Sequence, residues 1–187
     1  MSLRTIYFVR NANYTRDMGQ PQGSLTPLGQ HQANLTAQRI AELACTSVIC
    51  STYRQMIETS RSLAIPNGLP IQESPLLRQY DAFAFEDGTL SRKQFMGAIE
   101  SQKTQLLQVS QTFLVPAGET TDCQLIVCHG NIIRDLICTA LGINPSNWAN
   151  RILRHCSLSV ITMDGKGRAN LVMFDDISHL PTSLLTE

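Results

Sequence analysis

Two polar residues follow an apolar segment near the start of the sequence. In the run TIYFVRNANY (5–14), aromatic, β-branched and aliphatic residues give way abruptly to Arg10 and Asn11. A strand that ends this way carries its polar side chains to the carboxyl edge of a sheet, where α/β proteins bind ligands. The planar guanidinium of Arg10 suits a phosphate because its N–H donors form a fork. Arg10 and Asn11 are therefore candidates for an anion site.

His129 is a second candidate for the same kind of site. It lies at the end of the apolar run CQLIVCHG (123–130) and precedes the helical pattern NIIRDLICTALG. A helix N-terminus favours anions because its backbone N–H groups have no partners within the helix. The alternatives are structural: Arg10 can pair with a carboxylate, and a lone histidine is often a satisfied core residue. His155 and Ser157, at the start of a hairpin strand, are weaker candidates for pocket neighbours.

The elements that must position these residues alternate between strands and helices. Thr26 and Pro27 suit the N-cap and first position of a helix, and Asp164-Gly165 suits a hairpin turn. Further strands are predicted at 47–51, 69–74 and 123–130, and further helices at 53–64, 91–114 and 131–142, whereas 11–24 is predicted to be a polar loop. This alternation predicts a single domain over 1–187, a three-layer α/β/α sandwich with a mainly parallel sheet and a C-terminal antiparallel hairpin.

The composition limits the kinds of partner that the protein can have. The 187 residues include 15 Lys+Arg and 15 Asp+Glu, so no global charge favours nucleic acid or a membrane surface. No apolar run approaches the roughly 18 residues of a membrane span, and no signal-peptide pattern is present, so a cytoplasmic location is expected. The six cysteines lack C-x2-C spacing, and we expect buried, reduced thiols and neither a metal nor another cofactor.

Four stretches together resemble a known enzyme family. The segments YFVRNA, LTPLGQHQA, CSTYRQMIETS and VCHGNIIRDLI resemble, in order and spacing, the histidine phosphatase superfamily (phosphoglycerate-mutase-like). The resemblance is strongest to its mitochondrial Ser/Thr protein-phosphatase branch and extends to LLRQY and the terminal hairpin. It implies that a histidine after the first strand attacks phosphorus and that water hydrolyses the resulting phosphohistidine. It also implies that two arginines and a second histidine hold the phosphoryl oxygens, while a carboxylate protonates the leaving group without a metal.

The match at the implied site is incomplete, beginning with the nucleophile. Arg10 matches the first arginine and His129 the second histidine, so both are candidate phosphate-binding residues. Asn11, however, stands at the position of the attacking histidine. The lone pair of an amide nitrogen is delocalised into the carbonyl, so Asn11 cannot form the phosphoenzyme.

Two further positions depart from the family pattern. Gln55 stands at the second arginine, and Arg54 lies one residue earlier, which is about 100° of rotation on a helix. Both are candidate phosphate-binding residues. Gln79 stands at the position of the acid and removes a proton donor, for which Asp81 is the nearest replacement.

The sequence supports three hypotheses about function. The leading one is a catalytically impaired protein that binds a phosphorylated small molecule or a phosphoprotein through the inherited cleft. The second is an active phosphatase in which His129 is the nucleophile or water attacks directly, and the third is a non-catalytic scaffold. The segment 75–100 carries no motif that names the ligand, and a homodimer is compatible with the sequence.

Overall fold

The computed structural model describes residues 2–16, 18, 20, 22–78, 92–119, 121–148 and 151–187, with the backbone alone at 92–99, 146 and 147. The strands are β1 (Leu3–Arg10), β2 (Tyr14–Arg16), β3 (Gly23–Leu25), β4 (Val48–Ser51), β5 (Ile71–Ser74), β6 (Asp122–Cys128), β7 (Leu158–Asp164) and β8 (Ala169–Asp176). The helices are α1 (Pro27–Ile40), α2 (Arg54–Ala64), α3 (Arg92–Phe113) and α4 (Gly130–Leu141), with short 3-10 turns at Pro75–Leu77, Pro145–Trp148 and Thr182–Leu184.

The main sheet is mixed and has β1 near its centre. Within the described chain its order is β5-β4-β6-β1-β7-β8. Strands β5, β4, β6 and β1 run parallel to one another, whereas β7 is antiparallel to β1 and β8 is antiparallel to β7. The predicted mainly parallel sheet with a C-terminal antiparallel hairpin is confirmed. Because the parallel strands end at one edge, the residues after β1, β4 and β6 are brought together there.

The core lies on both faces of this sheet. Successive side chains of a strand point to opposite faces, and in β1 Ile6 and Phe8 join one apolar cluster while Val9 joins the other. The first cluster includes side chains of α3 and α4, and the second includes side chains of α1 and α2. All three β1 residues are completely buried. The α/β/α layering is therefore the result of alternating apolar side chains that are covered on both sides.

Local sequence signals place several element ends as expected. Thr26 caps α1, with its Oγ1 accepting a hydrogen bond from the backbone N–H of Gly29 at 3.0 Å. The β7–β8 turn is fixed by Asp164, whose carboxylate accepts hydrogen bonds from the backbone N–H groups of Lys166 and Arg168, each at 2.9 Å. Gly167 adopts φ of +76°, which a glycine tolerates without strain. No helix in the described ranges has the length and apolar character needed to cross a membrane.

The structure corrects two expectations from the sequence. The segment predicted as a polar loop over 11–24 contains the small antiparallel hairpin of β2 and β3. The expectation of six reduced thiols is wrong for Cys45 and Cys123, which form a disulfide across a Cα–Cα distance of 4.8 Å. These cysteines are 78 residues apart, so no local spacing motif reveals the pair. The other cysteines, Cys50, Cys128, Cys138 and Cys156, are free and buried.

Candidate active site

The carboxyl ends of β1 and β6 place the first two candidates side by side. The parallel register pairs Arg10 with Cys128, so Asn11 and His129 are the next residues on neighbouring strands, which are about 5 Å apart. The backbone N–H of Asn11 continues the ladder by donating to the carbonyl of Cys128 at 3.3 Å. His129 is also the N-cap of α4, with φ of −72° and ψ of 151°. One phosphoryl group can therefore reach both positions.

A cavity of about 330 Å³ opens at this edge of the sheet. Three of the residues that the sequence singles out line it, namely Arg10, Asn11 and His129. Among the described residues, the others that line it are Tyr14, Arg16, Gly130, Asn131, Arg134, Arg151, Ile152, Leu153 and Glu187. The volume lies at the lower end of the range for small-molecule sites.

Two contacts of the guanidinium group hold the Arg10 side chain in place. Its Nη1 donates to the carbonyl of Leu153, and its Nη2 lies 3.3 Å from Nε2 of His155. Because the guanidinium has only donors, Nε2 of His155 must be the acceptor and Nδ1 must carry the proton. That Nδ1 lies 2.9 Å from Oγ1 of Thr186. His155 therefore positions Arg10 and is not among the residues that line the cavity.

Gly130 leaves the space that the Arg10 side chain needs. A Cβ atom at Gly130 would lie 3.3 Å from Cδ and 3.5 Å from Nε of Arg10. The first distance is shorter than ordinary carbon–carbon contact. A larger residue at this position would press directly on the arginine that faces the cavity.

His129 carries a buried nitrogen with an unmet hydrogen bond. The residue is only 5% exposed, and its Nε2 has no hydrogen-bond partner in the described part of the chain. Its ring packs edge-on against Tyr53 with the centroids 5.6 Å apart. A buried polar group without a partner costs about 1–3 kcal/mol. The residue also lines the cavity, so its ring is placed next to a ligand that binds there.

Both histidines near Arg10 are neutral at neutral pH. Burial, and then the positive charges of Arg10 and Arg16 and the neighbouring His155, lowers the pKa of His129 to about 3. Burial and Arg10 likewise lower the pKa of His155 to about 3, against the opposing effect of the Thr186 backbone. A neutral imidazole can donate one hydrogen bond to a phosphoryl oxygen or accept one proton.

These two histidines are expected to make folding stability fall in acid. Unfolded histidines titrate near pH 6.5, so between about pH 6.5 and 3 the unfolded chain binds more protons than the folded chain. The stabilisation is fully present above pH 6.5 and is lost as the pH falls through this window. Each histidine should account for about 1.4 kcal/mol of unfolding free energy between pH 8 and pH 5.5. Urea denaturation at the two pH values measures the difference.

Matched variants test whether His129 and His155 cause the pH dependence of folding stability. A His129→Gln/His155→Gln double variant should lose most of the pH dependence, and a His31→Gln variant, altered at an exposed position, should retain it. His179, whose pKa is lowered mainly by burial, accounts for a remaining dependence of the same sign. An unchanged pH dependence in the double variant would contradict the assignment.

Asn11 is fixed by its own backbone neighbours. The residue is 2% exposed, and its Nδ2 donates to the carbonyl of Ala12 at 3.0 Å. The backbone N–H of Cys156 lies 3.0 Å from the carbonyl of Arg10 and 3.4 Å from that of Asn11. Cys156 adopts φ of +59°, a left-handed conformation that is costly for a side chain of this size and typical of functional sites. The end of β1 is therefore held rigidly.

The remaining sequence candidates are placed differently. Gln55 lies at the same sheet edge and is completely buried, with its Oε1 accepting from the backbone N–H of Gly23 at 3.2 Å. Arg54 pairs with Glu58 at 2.8 Å on the surface of α2. Within the described chain, neither residue lines the cavity. Gln79 and its suggested replacement Asp81 lie outside the described residues.

The structure adds charged residues that the sequence did not single out. Arg16, Arg134, Arg151 and Glu187 all line the cavity. The clearest available signal was the position of Arg134, four residues after Gly130 and therefore on the same face of α4. Arg16 lies in β2, whereas Arg151 and Glu187 lie in loops. Their proximity to the cavity therefore depends on tertiary structure.

Comparisons with known proteins identify the family of this chain. The family model of the histidine phosphatase superfamily (branch 1) matches residues 6–124 and 114–176. The mitochondrial serine/threonine-protein phosphatase Pgam5 of Caenorhabditis elegans is 28% identical over 193 residues, covering 98% of this chain and 66% of that protein. Its namesake in Homo sapiens is 26% identical over 202 residues, covering 98% and 66%. The chain thus spans about 66% of the length of these curated relatives.

Solved structures share the fold at lower sequence identity. YhfR of Bacillus stearothermophilus superposes with a TM-score of 0.74 at 19% identity, covering 95% of this chain and all of that chain (100%). A phosphoserine phosphatase of Entamoeba histolytica, solved with 3-phosphoglyceric acid, gives 0.70 at 18% identity and covers 95% and 100%. The family model covers most of the chain, which leads to one conclusion. This chain belongs to the histidine phosphatase superfamily, branch 1.

Proposed function

We propose that this protein binds phosphorylated ligands in the Arg10–His129 cavity and that its phosphatase chemistry is impaired. The observation that carries the proposal is the placement of Asn11, which is buried after β1 beside Arg10 and His129. The family resemblance puts the attacking histidine at this position. The binding groups are retained there, whereas the nucleophile is replaced.

The impairment follows from the bonds that the reaction must make. In an intact enzyme a histidine nitrogen forms an N–P bond while the P–O bond to the leaving group breaks. The leaving oxygen takes a proton from the acid, and water then releases inorganic phosphate. The amide of Asn11 has no available nitrogen lone pair for the first step. Phosphate binding survives this loss because it depends on Arg10, on His129 and on the N–H groups at the start of α4.

Two classes of phosphorylated ligand agree with the proposal. The relatives named as serine/threonine-protein phosphatases favour a phosphoprotein. The cavity volume of about 330 Å³ favours a small phosphorylated molecule, which it can hold entirely. A cavity of this size also argues against a pure scaffold with a vestigial, filled pocket.

The second candidate function is residual hydrolysis that depends on His129. Its support is the neutral ring, with a pKa of about 3, and the unpartnered Nε2. Such an imidazole can attack phosphorus itself or take a proton from an attacking water. In that case His129→Asn would abolish wild-type turnover of an aryl phosphate and Asn11→Ala would leave it unchanged.

Titration of inorganic phosphate by calorimetry tests the binding proposal directly. We expect binding to the wild type, and a loss of at least about tenfold in affinity for Arg10→Gln, because a charge-assisted hydrogen bond contributes about 1.5–3 kcal/mol. His129→Asn should weaken binding less, since a neutral donor is removed. Arg168→Gln is the control, because it also removes one positive charge and Arg168 pairs with Asp164 in the β7–β8 hairpin. Absence of phosphate binding, or an equal loss in the control, would overturn the proposal.

A further inference from the structure

The imidazole of His155 connects Arg10 to a chain of hydrogen bonds behind the cavity. Its Nε2 lies 3.3 Å from Nη2 of Arg10 and accepts from it, so its Nδ1 carries the proton. That proton is donated to Oγ1 of Thr186 at 2.9 Å. The carbonyl of Thr186 is already used by the backbone N–H of His155 at 3.0 Å. The orientation of the ring, and with it the acceptor offered to Arg10, therefore depends on the Thr186 hydroxyl.

Gln32, on α1, fixes that hydroxyl in turn. The residue is completely buried, and its Oε1 accepts from the backbone N–H of Asn13 at 2.9 Å. Its Nε2 donates to the carbonyl of Leu184 at 2.6 Å and to Oγ1 of Thr186 at 2.9 Å. The reversed amide would turn its NH₂ group towards the N–H of Asn13 and its oxygen towards the carbonyl of Leu184, so only one orientation satisfies these partners. The amide thus ties residues 184 and 186 to α1.

The direction of each hydrogen bond in this chain is determined by its two ends. Nε2 of Gln32 and Nδ1 of His155 both donate to Oγ1 of Thr186, which uses both lone pairs of the hydroxyl. Arg10 has only donors, so just one tautomer of His155 can receive it. Without an acceptor at Thr186, either a buried N–H of the ring is left unpaired, or the proton moves to Nε2 and faces the donors of Arg10.

The loop that carries His155 has separate anchors. Oδ1 of Asp175 accepts from the backbone N–H of Arg154 at 2.6 Å, and its Oδ2 pairs with Nη1 of the same arginine. The backbone N–H of Cys156 donates to the carbonyl of Arg10 at 3.0 Å. Loss of the Thr186 hydroxyl should therefore leave the loop in place and change the ring alone.

We propose that Gln32 and Thr186 are positioning residues of the phosphate site, which act on Arg10 by fixing the tautomer and orientation of His155. Among the described residues, neither lines the cavity, so their effect must pass through the ring. The expected effect on phosphate affinity rests on the proposed function, whereas the tautomer of His155 does not.

Nitrogen NMR of protein with isotope-labelled histidine tests the tautomer at neutral pH. The His155 signals, assigned by their loss in His155→Gln, should show a protonated Nδ1 and an unprotonated Nε2 in the wild type. Thr186→Val removes the acceptor at nearly equal size and should shift the ring towards the Nε2–H tautomer. Thr186→Ser keeps the hydroxyl and should keep the wild-type tautomer. Thr182→Val, altered at an exposed threonine, is the control and should leave the spectrum unchanged.

Calorimetry with inorganic phosphate measures the effect on Arg10. Thr186→Val and Gln32→Met should each weaken binding by about three- to tenfold, as expected for the loss of a neutral hydrogen bond. In an Arg10→Gln background Thr186→Val should cause no further loss, because residues that act through one another are not additive. Gln30→Met is the matched control, since Gln30 is an exposed glutamine of α1 that bonds Asn34 and Ser62. Unfolding midpoints confirm that each variant is folded.

The outcomes distinguish these positioning roles from the proposed function. If phosphate binds the wild type and Thr186→Val changes neither the tautomer nor the affinity, the positioning roles are wrong and the phosphate site stands. Weaker binding with an unchanged tautomer, and without rescue by Thr186→Ser, would indicate a general loosening and would also overturn them. If the wild type binds no phosphate, the proposed function fails, and the NMR spectra still decide what sets the His155 ring. Should Gln32→Met not fold, Gln32→Glu, which keeps the acceptor for Asn13, replaces it in both measurements.

Discussion

Asn11→His is expected to raise the turnover of 4-nitrophenyl phosphate by about 10²- to 10³-fold. Such a gain corresponds to roughly 3–4 kcal/mol of transition-state stabilisation at 1.36 kcal/mol per tenfold. The new imidazole would follow β1, next to Arg10 and one strand from His129. An aryl leaving group needs little protonation, so the missing acid limits this substrate least. An alkyl phosphate should gain far less, because general acid catalysis is typically worth about 10²–10⁴-fold.

Further replacements should act as a unit with the restored nucleophile. Adding Gln55→Arg supplies a second guanidinium for developing charge on the phosphoryl oxygens. It also removes the hydrogen bond that holds the N–H of Gly23, so part of the gain is offset by a looser β2–β3 hairpin. Adding Gln79→Glu should mainly accelerate the alkyl substrate. The gains should be strongly non-additive, as is usual for groups that act on one transition state.

The covalent intermediate provides the decisive control. Quenched Asn11→His should contain acid-labile phosphate on the protein, whereas the wild type and Asn11→Ala should contain none. Wild-type turnover within tenfold of an intact relative would contradict the impairment. So would an Asn11→His variant that binds phosphate, hydrolyses the aryl ester at the wild-type rate and traps no phosphohistidine.

Removal of the Cys45–Cys123 disulfide is expected to destabilise the protein by roughly 4.5 kcal/mol. The chain-entropy relation gives this value for cysteines 78 residues apart. For a chain of this size the unfolding midpoint should fall by about 10–15 °C. Reduction by dithiothreitol and the Cys45→Ala/Cys123→Ala variant should give the same shift in thermal unfolding, and the variant should not respond to the reductant.

The disulfide lies away from the candidate site. Cys45 precedes β4 and Cys123 is near the start of β6, so the bond joins the amino ends of neighbouring strands. The cavity lies at their carboxyl ends. Phosphate affinity measured below the unfolding transition should therefore change little in the double variant. A loss of affinity larger than about threefold, or a midpoint shift below about 3 °C, would contradict this account.

The sequence predicts most of the fold because its signals are local. Thr26-Pro27 marks the start of α1, Asp164 forms the turn of the hairpin, and the apolar runs of β1 and β6 require a covered sheet. Arg10, Asn11 and His129 could be placed together for the same reason, since each directly follows or ends a buried parallel strand. Once these residues are assigned to the ends of parallel strands, only the order of the strands in the sheet remains to be determined.

The parts that the sequence did not predict depend on contacts distant along the chain. Gln55 matches a phosphate-binding position, yet its oxygen is used by the N–H of Gly23, a contact that requires the unforeseen β2–β3 hairpin. Cys45 and Cys123 have no recognisable spacing, and become neighbours only when β4 pairs with β6. Arg16, Arg134 and Arg151, which also line the cavity, come from three separate parts of the chain. Their positive charges come together only when the folded chain forms the cavity.

The central position of β1 has a consequence for protein synthesis. Its partners β6 and β7 are both made much later, since Arg10 pairs with Cys128 and Leu3 pairs with Asp164. At the usual speed of ribosomes the delay is on the order of ten seconds. During this time the side chains of Ile6, Phe8 and Val9 lack the neighbouring strands that bury them in the finished sheet. The nascent chain thus carries an unpaired apolar strand that chaperones can bind until β6 and β7 emerge.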